Sequence, residues 1–297
     1  MKKVIATVLT MGLALSMAAC GSKTAEGTQD AATEAVSEVA EEVSEAAQEV
    51  AEDASDAAEE AVEEVVEEDS EGEEATEEAA GDVMTHEDYV AAELDSEVTV
   101  ETYVQAKQGW WENEGVGNAT FYTQAEDGAY FIYNMPCSEE EYEQLTPGTK
   151  IKVTGYKSEW SGEVEITDAK FEIEDGNFVA EALDVTDLLA DDAIIDHQNE
   201  FVAFKGMTVE ASKDADGNDV AFLYNYDGSG SQGDDLYFNV SANGTTYTFT
   251  VESYLCGQDS DVYKAVEGLN VGDTVDMEGF LYWYEGVNPH ITSVSVQ

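Results

Sequence analysis

Short runs in which apolar and polar residues alternate begin near residue 98 and recur to the end of the chain. A period of two marks a half-buried strand. The runs predict strands over about 98–106, 119–125 and 129–135, followed by a short helix over about 138–145. A second set repeats the order, with strands over about 201–211, 235–241 and 245–252 and a helix over about 259–267. Asn243-Gly244, between the last two of those strands, is a two-residue hairpin turn.

The stretch after each helix is also shared. Leu145, Gly148, Ile151, Val153, Gly155 and Tyr156 match Leu269, Gly272, Val275, Met277, Gly279 and Phe280 at a constant offset of 124. Gly162 matches Gly286 and, after one inserted residue, Ile166-Thr167 matches Ile291-Thr292. Gly148 and Gly272 suit a tight turn entering a strand. Gly155 and Gly279 stand inside one, where glycine marks a bulge or a barrel corner. Each copy thus reads as three strands, a helix and a two-strand hairpin, which is the order of the five-stranded Greek-key OB barrel. The expected fold class is mainly β, with two tandem five-stranded OB-like Greek-key barrels over 83–176 and 200–297. Copy two carries an extra strand-like run, Val220–Tyr226, in its first loop. Residues 177–199 predict a connecting helix packed between the barrels, capped by Thr186 with Asp187 in its first turn.

On these residues the body resembles the tandem OB-fold domains of bacterial lipoproteins, in the branch loosely termed tRNA-anticodon-like. The resemblance lies mainly in LTPGTKIKVTGYKSEWSGEVEITDAKFEI and its echo LNVGDTVDMEGFLYWYEGVNPHITSVSV. Its motifs are structural, so it implies a fold and little about function. A second resemblance lies at the start of the chain. Lys2 and Lys3 precede an apolar or small stretch over 4–19, and Met17-Ala18-Ala19-Cys20-Gly21-Ser22 resembles a lipobox, with Met17 where that family usually has Leu. It implies a signal peptide over 1–20, a lipidated (palmitate-bearing) Cys20, and a lipid anchor on the outer face of a bacterial cell membrane, where two or more acyl chains hold stably.

Composition separates the next segment from the body. Residues 21–82 form an acidic, Ala/Glu-rich stretch with no aromatic and no proline. Such a chain buries too little apolar surface to offset its ordering entropy. Val36, Val39, Val43 and Val50 nevertheless recur at helical spacing, against repelling pairs such as Glu41/Glu45. The reading is a partly helical, partly disordered stalk. The whole chain has 67 Asp+Glu against 11 Lys+Arg, a formal charge of -56. That balance weighs against a polyanion, because neutralising phosphates needs a basic surface; no nucleic acid is expected as a partner.

Candidate chemistry is sparse. His86, His197 and His290 stand in unrelated contexts with no metal-ligand or nucleophile spacing, and each reads as a surface or turn histidine. No catalytic residue, metal or cofactor is expected, and the chain reads as no enzyme. Asp214-Ala215-Asp216-Gly217-Asn218-Asp219 resembles the opening of a calcium loop, but the twelfth position is Asn225, and Asp-Gly-Asn is an ordinary turn. Cys137 and Cys256 follow the third strand of each copy and read as free thiols rather than a disulfide. Lys107, Lys150, Lys152 and Lys157 suggest a small basic patch on copy one. The aromatics are the most informative residues. Trp110 and Trp111 fall between the first two strands, and Trp160, Tyr282, Trp283 and Tyr284 at hairpin tips. In OB barrels those loops frame the ligand groove. The functional expectation is a lipid-anchored extracellular binding module that stacks a neutral glycan or a peptide on these rings. The rivals are an adaptor binding a protein partner, with the rings as packing, and nucleic-acid binding by fold analogy alone.

Overall fold

The computed structural model describes residues 82–297. The expected signal peptide, Cys20 and nearly all of the expected stalk lie outside the described residues. Among those described, no helix is long and apolar enough to cross a membrane.

A six-residue helix α1 (His86–Ala91) comes first, with the Thr85 side chain capping it from Asp88 N. No periodicity announces it; it is held from outside. Tyr89 is buried, and the Lys157 ammonium donates to the carbonyls of Tyr89, Val90 and Ala92 at 2.8–3.0 Å, closing the helix C-terminus. Then come β1 (Glu97–Lys107), the short β2 (Trp111–Asn113), β3 (Val116–Gln124), β4 (Ala129–Pro136), α2 (Glu139–Gln144), β5 (Thr149–Trp160) and β6 (Glu163–Asn177). Strand β1 pairs with both β3 and β5, and β4 pairs in parallel with β6, so five strands close in the ring β1-β3-β4-β6-β5. That ring is the OB order. A capping box between Ser138 and Glu141 starts α2.

The second set comes after β7 (Leu183–Asp184). It comprises β8 (Phe201–Glu210), the two-residue strands β9 (Ser212–Lys213), β10 (Asp219–Val220) and β11 (Leu223–Tyr224), then β12 (Leu236–Ala242), β13 (Thr245–Val251), α3 (Asp261–Glu267), β14 (Thr274–Phe280) and β15 (His290–Val296). Strand β8 pairs with β12 and β14, and β13 meets β15 in parallel, closing the same ring again. The fold is mainly β, with two five-stranded OB-like barrels, as the pattern predicts. The extra run in copy two is not one strand but β10 and β11, which pair with different neighbours.

The paired glycines have matching causes. Gly148 and Gly272 both adopt φ +93° before the fourth strand of their ring, a region that costs glycine nothing. A Cβ on Gly155 would stand 2.7 Å from Thr167 O, and one on Gly279 would stand 2.2 Å from His290 O. The register shifts at both places, so both are bulges at barrel corners.

The connecting segment departs from expectation. Residues 177–199 form no α-helix but two 3-10 helices, Thr186–Leu188 and Asp192–His197. Thr186 does not cap the first. Its hydroxyl donates to Asp184 and accepts from Lys205 N, so it is already engaged. The segment does join the two barrels. Val185, Leu189 and Ile194 pack into the core of the second, while the Gln198 and Asn199 amides donate to Gly162 O and Val164 O of the first. The described residues fall in one compact unit.

Candidate ligand cleft between the barrels

Each barrel has its own apolar interior, and a third cluster lies between them: Tyr122 and Phe131 from β3 and β4 meet Phe280, Phe201, Leu255 and Tyr282. Main-chain bonds reinforce the contact, Gly109 N to Tyr254 O at 2.9 Å and Glu285 N to Ser161 O at 2.7 Å. Ser161 and Glu285 are equivalents in the repeat, as are Trp160 and Tyr284, whose ring centroids lie 5.2 Å apart. The two hairpin tips thus meet through matching positions.

Beside this contact the barrels leave a cleft of about 600 Å³ lined by residues from both. It opens over the outer face of β4 and β6, next to the two loops that frame the ligand groove of OB barrels. The sequence-predicted aromatics divide here. Trp111, 43 % exposed, and Trp160, 54 % exposed, line the cleft together with Tyr282. Tyr282 stacks on the His290 ring with centroids 4.1 Å apart. Tyr284 lies just outside, against Trp160. Trp110 turns inward; its indole donates to Cys137 O at 3.0 Å and its ring packs on the first core. Trp283 packs on the second core.

The polar lining was not expected from the sequence. In β6 the alternation sends Ile166 into the barrel and Glu163 and Glu165 to its outer face. That face would be wet in an isolated barrel. Here the second barrel covers it, and both glutamates are buried. Burial pushes the Glu163 carboxyl up to about 8, despite bonds from Trp283 N at 2.8 Å and the Gln198 amide at 3.2 Å. Burial likewise pushes Glu165 to about 7. Across the cleft Glu252 is held at about 7 by burial, with the nearby Asp235 carboxylate adding to the effect. It accepts from Leu255 N at 2.8 Å and from the Gln108 amide of the first barrel at 3.2 Å.

His290 is neither a surface nor a turn residue. It starts β15, is buried, and burial lowers its pKa to about 3. The Tyr122 phenol, itself held protonated by burial, stands 2.6 Å from Nδ1. A neutral ring accepting there carries its proton on Nε2. One signal in the sequence pointed to this residue: the matched Ile166-Thr167 and Ile291-Thr292 put Glu165 and His290 at equivalent positions.

The other candidates are engaged locally. Asp214 accepts from Asp216 N, Asn218 N and the Asn218 amide, closing its own turn. Among the described residues, no group of three or more His, Cys, Asp or Glu is placed to hold a metal ion. Cys137 and Cys256 carry free thiols. Three of the four lysines expected to form a basic patch are engaged elsewhere. Lys157 is buried against α1, Lys150 lies between Glu101 and Glu174 at 2.6 and 2.8 Å, and Lys107 sits on the Tyr142 ring.

No family model and no curated protein matches the sequence. Solved structures do. The Ifi202 HINa domain in complex with double-stranded DNA is 14% identical, with 68% of this chain and 98% of that chain covered at TM-score 0.30. A murine DNA-binding protein bound with double-stranded DNA is 13% identical, with 67% and 94% covered at TM-score 0.30. A replication protein A heterotrimer bound to single-stranded DNA is 11% identical, with 68% of this chain and 49% of that chain covered at TM-score 0.29. These matches correct one expectation: with DNA bound in all three, nucleic acid is not excluded as a partner on composition. At these scores the likeness carries no argument about what this chain binds, and the OB assignment rests on strand order and register.

Proposed function

We propose that this chain is a non-catalytic binding module, held on the outer face of a bacterial membrane through Cys20 and spaced from it by the acidic stalk, that takes its ligand in the cleft between the barrels. The observation that supports this reading most is the convergence of Trp111, Trp160 and Tyr282 on one open cavity that joins both barrels. Aromatic faces around a few convergent polar groups are the common form of a small-ligand site. The ligand is a glycan or a peptide segment small enough for that volume. Trp emission of the mature chain, titrated with pooled glycans, with peptides and with a single-stranded oligonucleotide at low salt, tests it. A saturable change that Trp111→Phe and Trp160→Phe abolish is the expected result. Silence from all three classes sinks the reading and leaves the cleft as part of an adaptor surface.

A further inference from the structure

Three carboxylates lie at the contact between the barrels, and two of them accept hydrogen bonds from the protein. Glu163 accepts from Trp283 N and Gln198. Glu252 accepts from Tyr254 N, Leu255 N and Gln108. Glu165 is different. It is 8 % exposed and lines the cleft, yet among the described residues no hydrogen bond or ion pair reaches its carboxylate. Its oxygens still meet solvent in the open cleft, but a largely desolvated carboxylate with no protein donor is costly, and a ligand that brings a donor relieves that cost. The cleft lining supplies no cation for it: it contains no Lys, and its one histidine is neutral.

The surroundings specify the donor. Phe131 is the register partner of Glu165, Tyr282 lies near it, and Trp111 and Trp160 stand at the rim. Aromatic faces with a desolvated carboxylate attract an ammonium group, through the ring quadrupole and a charge-assisted hydrogen bond together. We infer that the cleft binds the protonated amine of an organic cation, with the ammonium on Glu165 and the carbon skeleton against the indoles of Trp111 and Trp160. This deepens the binding-module reading and rests on it. The same chemistry is offered by a lysine-type side chain or by an amino sugar.

The test uses the mature chain and four probes in two matched pairs: N-acetyl-lysine amide against N-acetyl-norleucine amide, and glucosamine against glucose. Trp emission or titration calorimetry reads each. Saturable binding of at least one amine, at least tenfold tighter than its neutral partner, is expected, and which pair responds identifies the source. Glu165→Gln should remove that preference at least tenfold. Glu112→Gln, an exposed acid beside Trp111, should leave it within twofold, which separates a specific contact from general attraction to an acidic body. Neutral partners binding as well as the amines overturn the inference while the cleft remains a binding site. No response from any probe, with none from the glycan, peptide and oligonucleotide pools, overturns both. The matched pairs on the unmodified chain decide the matter even if Glu165→Gln does not fold.

Discussion

Trp110 and Trp111 are neighbours in sequence, and the chain sends them in opposite directions. Trp110 fills space in the first barrel and donates to Cys137 O. Its truncation to Ala should cost about 3 kcal/mol, the low end for large rings packed on a core because Trp110 is half-buried, measured as a shift in the urea midpoint. Trp111→Ala removes a ring already in contact with water. It should change stability by no more than about 0.5 kcal/mol while weakening any cleft ligand. Equal effects from the two would dissolve the distinction. Loop position, legible in the sequence, places both indoles near the groove. Which way each ring turns was not legible, since that depends on Gly117, where a Cβ would meet the Trp110 ring at 2.5 Å. Glu165 carries a prediction in pH. Its facing groups are Tyr89, Glu163 and Tyr282 nearby and Glu252 and His290 across the cleft. The tyrosines stay protonated and His290 stays neutral near pH 7. Glu163 and Glu252, like Glu165, gain charge as pH rises through about 7 to 8. Affinity for an amine should therefore increase between about pH 5 and pH 8, and Glu165→Gln should flatten the rise.

At the scale of elements, the repeat carried most of the fold. Strand ends read from alternation agree with β1, β4, β8 and β13 to within about two residues, because each strand has one face in a barrel core and the other outside. Elements whose stability comes from elsewhere were hidden. Helix α1 depends on Tyr89 burial and on the Lys157 ammonium from β5, and the connecting segment on partners in both barrels. Local periodicity contains neither. The mid-strand glycines were legible because their role is local. Gly279→Ala drives a Cβ against the backbone of His290, not against a side chain that can yield. It should cost about 3 kcal/mol and disturb β15 as well as β14. Gly286→Ala, in the turn with open space around its Cβ site, should keep the β14–β15 pairing and add only the strain of a side chain at φ +144°. Amide exchange along β15 would distinguish the two.

At the scale of the whole molecule, the contact between barrels makes stability depend on pH in an unusual direction. Two buried oxygens at that contact have no donor: Glu163 Oε1 and Asn199 Oδ1. The two side chains lie beside each other, and protonating Glu163 turns one of the two acceptors there into a donor. Burial favours that protonated form, raising Glu163 from 4.5 to about 8. Below about 4.5 the folded and unfolded chains both hold the proton, and the group contributes no difference. Between there and about 8 the unfolded chain releases it while the folded chain keeps it, so stability falls as pH rises. The loss is on the order of 3–5 kcal/mol for Glu163 once pH exceeds both values. Glu165 and Glu252, each raised to about 7, act with the same sign. The described body should therefore unfold at lower urea near pH 8 than near pH 5. Glu163→Gln imitates the protonated acid, with an amide N–H to offer Asn199 and an oxygen left for Trp283 N. It should leave stability near pH 5 almost unchanged, raise it near pH 8 and flatten the slope between them. If the variant is instead weaker at both pH values, the carboxylate is ionised in the folded protein, and the two orphan oxygens are served by a buried water in place of a proton.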